Sequence, residues 1–151
     1  MFRGSIVALV TPMSESGEID FGAFEALLDW HADQGTDAVV VAGTTGEGVT
    51  LLAAEIEELL RRAVRRLGGR MPVIAGTGSP STAITIERTR TASEVGVDGV
   101  LVVTPFYNRP GPEGLLQHFW AVAEASSVPV LLYNVPARTA WTGGDLGRAL
   151  G

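Results

Sequence analysis

Five short apolar runs with almost no polar alternation set the tightest limit on how this chain can fold. They are Ser5 to Val10, Ala38 to Ala42, Val73 to Ala75, Gly99 to Val103 and Val128 to Leu132. A strand with one wet face alternates polar and apolar residues. These runs offer Val, Ile, Leu and Ala to both faces, as strands of a parallel sheet covered on both sides do. Their starts recur at roughly 30-residue spacing, the length of one strand–helix unit. In the first gap Phe21, Phe24, Leu27, Leu28 and His31 fall at helical period. In the second, Leu52, Ile56, Leu59, Leu60, Ala63, Val64 and Leu67 do the same. A third helix is expected from Ser81 to Val95, stopping before Gly96. A fourth opens near Pro112, where proline is tolerated in the first turn, and carries Leu115, Leu116, Phe119, Val122 and Ala123. A fifth is expected to begin near Asp145.

Strict alternation of strand and helix, without hairpin signals, points to an α/β fold with a parallel sheet. No Gly-x-Gly-x-x-Gly opens the first unit, which removes support for a dinucleotide-binding fold. Each conspicuous polar motif instead follows a strand: Thr11-Pro12, Gly43 to Glu47, Gly76-Thr77-Gly78, Thr104 to Pro110, and Tyr133 to Arg138. A (β/α)8 TIM barrel places its active site at those carboxyl ends and takes about 250 residues. The expectation is therefore a partial TIM barrel, the first five βα units of eight, over 151 residues. On this reading residues 1–151 are the N-terminal portion of a single barrel domain, cut before the sixth strand. An open sheet of this kind leaves two strand edges unpaired.

Composition narrows function by exclusion. The hydrophobic share of 46% supports a packed core. A net charge of −6 argues against a nucleic-acid surface. There is no cysteine, hence no disulfide and no thiolate zinc site, and His31 and His118 lack ligand spacing. Asp20, Glu25 and Glu113 form no metal pattern. No apolar run reaches membrane-span length or forms a signal-peptide core, so the expected location is cytoplasmic. All 11 basic residues are arginine. Without lysine, residues 1–151 offer no side-chain amine for a Schiff base and no Gly-Lys-Ser/Thr phosphate loop.

The junction of Ala38–Ala42 with Gly43-Thr44-Thr45-Gly46-Glu47 reads as a buried strand ending in a loop suited to a small carboxylate. Its glycines let backbone N–H groups approach a ligand, and the threonines place hydroxyls beside them. The chain's two tyrosines, Tyr107 and Tyr133, both fall just past expected strand ends. A phenol can donate and accept a proton, so two of them bridged by a threonine hydroxyl could pass protons to a bound carbonyl compound. Packing of the rings, with each hydroxyl on a backbone partner, is the alternative. Arg138, after a proline-containing loop, offers a planar fork for a carboxylate, or else a surface ion pair. Arg61, Arg62, Arg65 and Arg66 read as a solvated helix face partnered by Glu55, Glu57 and Glu58. His31 reads as a packing or helix-end residue, His118 as a helix residue away from the strand ends, and Trp30 and Trp120 as core or interface.

Taken together, these motifs resemble the dihydrodipicolinate synthase family. The matching elements are Gly43 to Glu47, Gly76-Thr77-Gly78-Ser79, Val102 to Pro110, and Leu132 to Thr139, in order and in spacing. The resemblance implies a (β/α)8 barrel that condenses pyruvate with aspartate semialdehyde on the route to lysine and diaminopimelate. Pyruvate is held there as a Schiff base on a lysine, with no cofactor and no metal. It implies that Thr44, Tyr107 and Tyr133 form a proton relay, with Tyr133 the acid/base at the Schiff-base carbon. Thr45 would hold the pyruvate carboxylate, and Arg138 the semialdehyde carboxylate. Tyr107 would reach into a neighbouring subunit, so a homodimer or homotetramer is expected at full length, with neither nucleic acid nor membrane as partner. Sister enzymes of the N-acetylneuraminate lyase and keto-sugar-acid aldolase type share the barrel and the lysine but generally lack the arginine at 138. A non-catalytic half-barrel that binds carboxylates or assembles with a partner is the reading from another class. The family lysine lies on the sixth strand, so residues 1–151 alone are expected to be inactive. Positions matching the family's lysine-effector site are Gly48, Ala53, Ile56, Pro80, Ile84 and Phe106. None offers a side-chain hydrogen bond, and insensitivity to lysine is expected. Leu52 stands where a Ser/Thr cap would precede Glu55, a loss of about 1 kcal/mol.

Overall fold

The computed structural model describes residues 2–139. Its elements alternate throughout: β1 (Ile6–Ala8), α1 (Phe21–Asp33), β2 (Ala38–Val41), α2 (Ala53–Leu67), β3 (Val73–Gly76), α3 (Thr82–Val95), β4 (Gly99–Val103), α4 (Pro112–Ala125), β5 (Val130–Tyr133) and α5 (Pro136–Thr139). The five strands form one sheet in sequence order, and all four pairings are parallel. This is the curled half of a (β/α) barrel.

The absence of alternation has its reason in two cores. Val39, Val41, Val73, Ala75, Val100 and Val102 point outward, into the layer built by Phe24, Leu28, Leu59, Leu60, Leu115 and Phe119. Ala38, Val40 and Ile74 point to the concave side, where Phe2, Leu101 and Leu131 pack on them. The concave side thins at both edges: Ile6 and Val10 are 37% and 51% exposed at one, and Tyr133 is 38% exposed at the other.

Helix ends follow local chemistry. Asp20 caps α1 by accepting from the Ala23 N–H at 2.9 Å, and Ser81 accepts from the Ile84 N–H. Gly68 and Gly96 take left-handed C-caps after α2 and α3. At Leu52 no side-chain cap exists, as the sequence implies, but Glu55 Oε2 accepts from the Leu52 N–H at 2.7 Å and satisfies that end.

Several expectations need correction. Glu55 is thereby withdrawn from the arginine face, whose partners come partly from α1. Arg61 pairs with Glu57, Arg62 with both Glu58 and Glu25, and Arg66 and Arg70 share Asp29. Hydrogen bonds from Arg66 and then Arg70 hold the Asp29 carboxyl below the usual carboxylate range. Arg62 also lies 4.3 Å over the Phe21 ring, tying α1 to α2. The fifth strand starts at Val130 rather than Val128, because Pro129 has no N–H for the ladder. Tyr133 is therefore the last strand residue, in register with Val103, not a residue past the end. Arg138 sits on the short helix α5, and Pro136 opens that helix rather than belonging to a preceding loop. Trp30 and Trp120 are 56% and 50% exposed and contribute nothing to the core. The helix expected near Asp145 lies outside the described residues.

Candidate active site

Three loops at the carboxyl ends of the strands carry the candidate residues. In the β2–α2 loop the backbone of Ala42 turns left-handed, with φ +55°. Its carbonyl then wedges between two glycines: a Cβ at Gly48 would stand 1.9 Å from Ala42 O, and one at Gly76 2.4 Å from it. Gly48 is thus glycine for want of space, whatever an effector would contact. The turn closes through Glu47 N–H to Thr44 O at 3.2 Å and Gly48 N–H to Gly43 O at 3.1 Å. Beneath it, Thr11 Oγ1 donates to Gly46 O at 2.7 Å. This stack leaves Thr44 and Thr45 exposed at the tip.

The β4–α4 loop begins at Thr104, whose N–H continues the ladder to Tyr133 O at 2.8 Å. Tyr107 and Arg109 both adopt positive φ, +69° and +45°, and Tyr107 is 92% exposed. After β5, Arg138 N–H closes a turn onto Val135 O at 2.8 Å, and Thr139 Oγ1 donates to Asn134 Oδ1 at 2.8 Å.

The fold gathers these groups unequally. Thr44, Tyr107, Arg109 and Arg138 line one cavity of about 620 Å³, with Val49 and Phe106 on its apolar side. Among the described residues no carboxylate lines it, and its guanidinium groups favour an anionic ligand. Tyr133 lines an adjoining crevice on the concave side, beside Gly76 and Val103, and Thr44 borders both spaces. Thr45 shares the Thr44 turn but borders neither. Among the described residues, the hydroxyls of Thr44, Tyr107 and Tyr133 form no hydrogen bonds with one another.

The effector-matching positions are dispersed. Ala53, Ile56 and Ile84 line a cleft of about 420 Å³ between α2 and α3. Phe106 and Gly48 belong to the two spaces above. The α2–α3 cleft also exposes Glu57, Glu87 and Arg88, so it is not purely apolar.

His118 is buried in α4, with Nδ1 2.8 Å from Thr82 Oγ1 and Nε2 without a partner. Burial pushes its pKa below the ordinary histidine value. His31 sits at a helix end, its Nδ1 3.0 Å from Thr36 Oγ1. Among the described residues no helix is long and apolar enough to cross a membrane.

Sequence reasoning gave no role to Thr11, Asn108 or Arg109. Thr11 and Asn108 act through backbone carbonyls of distant loops, which spacing does not reveal. For Arg109 the signal was available, since a second arginine beside Tyr107 suits an anion cavity.

The fold and the cavity define a (β/α) half-barrel whose strand-end cavity is lined by Arg109 and Arg138. The sequence profile of the Dihydrodipicolinate synthetase family matches residues 1–145. The 4-hydroxy-tetrahydrodipicolinate synthase of Dechloromonas aromatica is 55% identical over 139 residues, covering 92% of this chain and 48% of that protein. Its counterpart in a Shewanella species is 52% identical over 140 residues, covering 93% of this chain and 48% of that protein. Chloride-inhibited dihydrodipicolinate synthase from Acinetobacter baumannii, solved in complex with pyruvate, superposes with a TM-score of 0.91 at 48% identity. That match covers 93% of this chain and 48% of the solved one. The chain belongs to the dihydrodipicolinate synthase family, and it spans about half the length of the curated relatives it matches.

Proposed function

We propose that residues 1–151 are the N-terminal portion of a single barrel domain whose complete protein condenses pyruvate with aspartate semialdehyde to give 4-hydroxy-tetrahydrodipicolinate. The observation that carries this reading is the convergence of Thr44, Tyr107 and Arg138 on one cavity, with Tyr133 next door and Thr44 bordering both spaces. The exposed apolar residues at both sheet edges support a barrel completed by further strands.

In this reading Tyr133 moves protons at the carbon that joins the two substrates, and Thr44 and Tyr107 relay them to solvent. Thr45 and its backbone hold the pyruvate carboxylate. Arg138 takes the semialdehyde carboxylate with its planar fork, the interaction that favours this substrate over the sugar aldehydes of sister aldolases. Imine chemistry needs an amine of lowered pKa, and residues 1–151 contain no lysine. The amine must therefore come from outside these residues, and the chain alone is inactive. The proposed location is the cytoplasm and the proposed assembly a homodimer or homotetramer. Insensitivity to lysine is also proposed, although Glu57 and Glu87 in the α2–α3 cleft give a free amine something to bind.

The test is the intact mass of the protein from its native source after borohydride reduction with pyruvate. A mass well above that of these residues, with one pyruvate adduct, is expected. In that protein Tyr133→Phe should lower turnover about 100-fold or more, the scale of a lost general acid/base. A native protein no larger than these 151 residues that takes up no adduct would sink the synthase reading and leave a carboxylate-binding half-barrel.

A further inference from the structure

Tyr107 is held in an unusual way. The Asn108 N–H donates to Phe106 O at 2.9 Å across a residue with φ +69°, which makes Tyr107 the centre of a γ-turn of the rare positive-φ kind. Such a backbone is strained at a non-glycine residue and persists only where its surroundings over-determine it. Burial does not hold it, because the Tyr107 side chain is 92% exposed. Its hydroxyl has no hydrogen bond among the described residues.

What remains is Asn108. Its Nδ2 donates to Pro80 O at 3.1 Å, in the β3–α3 loop. Among the described residues this is the one hydrogen bond from residues 105–110 to another loop. Its acceptor is firmly placed. The proline ring fixes φ at Pro80. On one side Ser79 N–H donates to Thr85 Oγ1 at 3.1 Å, and on the other Ser81 N–H donates to Ser79 Oγ at 3.2 Å. Thr85 Oγ1 donates back to Ser81 O at 2.9 Å and is fully buried. Asn108 therefore joins the strained turn through its backbone to a rigid carbonyl through its side chain.

We infer that Asn108 is a positioning residue: through Pro80 O it locks the γ-turn that aims the Tyr107 phenol away from its own loop and into its working place. This rests on the reading of Tyr107 as a proton relay. An amide suits the task because it is a neutral donor to a carbonyl. An aspartate of the same shape would present only acceptors to Pro80 O at neutral pH.

The experiment is a double-mutant cycle in the protein at its full encoded length, with Asn108→Ala, Asn108→Asp, Tyr107→Phe and Asn108→Ala/Tyr107→Phe. Both Asn108 variants should lower kcat about 10-fold to 100-fold with KM for pyruvate within about twofold, the cost of a misplaced group. In the Tyr107→Phe background Asn108→Ala should add less than about twofold, because the hydroxyl it positions is gone. The isosteric aspartate keeps the test valid if the alanine variant does not fold. Full turnover in Tyr107→Phe would remove the relay reading, and this inference with it. An impaired Tyr107→Phe beside a fully active Asn108→Ala would keep the relay and overturn the positioning role. So would losses that multiply in the double variant, since Asn108 would then act by another route.

Discussion

The two rims of the half-barrel treat left-handed backbone in opposite ways. On the rim where strands begin, positive φ falls on glycines: Gly4 ahead of β1, Gly35 ahead of β2, Gly68 and Gly69 ahead of β3, and Gly96 ahead of β4. On the rim where strands end, four non-glycine residues take it: Ala42, Glu47, Tyr107 and Arg109. Among the described residues, Gly17, in the β1–α1 loop, is the one glycine with positive φ on that second rim. Glycine enters the left-handed region at no steric cost, so the first rim is relaxed. The second carries strain at each such side chain, and the candidate site is there. Strained backbone gathered in the loops that line a cavity points to function, since stability alone would have placed glycine there.

The sharpest way to break this contrast is at Gly48, which has no room for any side chain. Gly48→Ala would drive a methyl into the Ala42 carbonyl, at 1.9 Å, and neither backbone can yield without opening the β2–α2 loop. A loss of about 3 kcal/mol or more is expected, read by denaturant unfolding. A loss below about 1 kcal/mol would show that the loop has slack and that its packing is not what holds the Thr44 turn.

A smaller effect, with a change of sign between rims, tests the contrast more directly. Gly96→Ala meets no atom within 4 Å, so only the backbone at φ +91° opposes it, for about 1–2 kcal/mol. Tyr107→Gly removes a largely exposed side chain from φ +69° and should leave stability unchanged or raise it by up to about 1 kcal/mol. The full-length variant should lose turnover all the same. Thermal melts of both variants decide the matter: destabilisation by Tyr107→Gly equal to that by Gly96→Ala would mean that the tyrosine rim is not strained.

What the sequence made legible divides along the same line. Strand order, helix positions and the placement of motifs after strands depend on period and punctuation, which the chain states locally. Gly96 as a helix stop and Pro112 as a helix start are such signals, and both stand in the structure. Thr44, Tyr107 and Arg138 could be named because their motifs follow strands. Their grouping could not be read, since it depends on how far each loop leans. The Ala42 wedge, the Thr11 bond to Gly46 O and the Asn108 bond to Pro80 O were hidden for the same reason. Each joins a side chain or a missing side chain to a backbone carbonyl dozens of residues away or across a loop. The partners of Arg66 were misread because the helix spacing i, i+4 is local, whereas Asp29 lies on the preceding helix.

The least effect is expected at His118, and it concerns how the strained rim is tied to the helices below it. Thr82, in the first turn of α3, sits just beyond the Pro80 carbonyl that anchors Asn108, and His118 holds Thr82 from α4. Burial lowers the His118 pKa, so the native state keeps the imidazole neutral while the unfolded chain titrates near the ordinary value of about 6.5. Between those two values the unfolded chain binds more protons, and stability must rise with pH there. The contribution is whole above about pH 6.5 and is lost as the pH falls below it. His118→Gln keeps a neutral polar group beside Thr82 and removes the titration. Melting temperatures at pH 7.5 and 5.5 should therefore diverge less in the variant than in the parent protein. Equal divergence would mean that protonation of His118 is accommodated where it sits, and that the tie between α4 and the rim tolerates a charge.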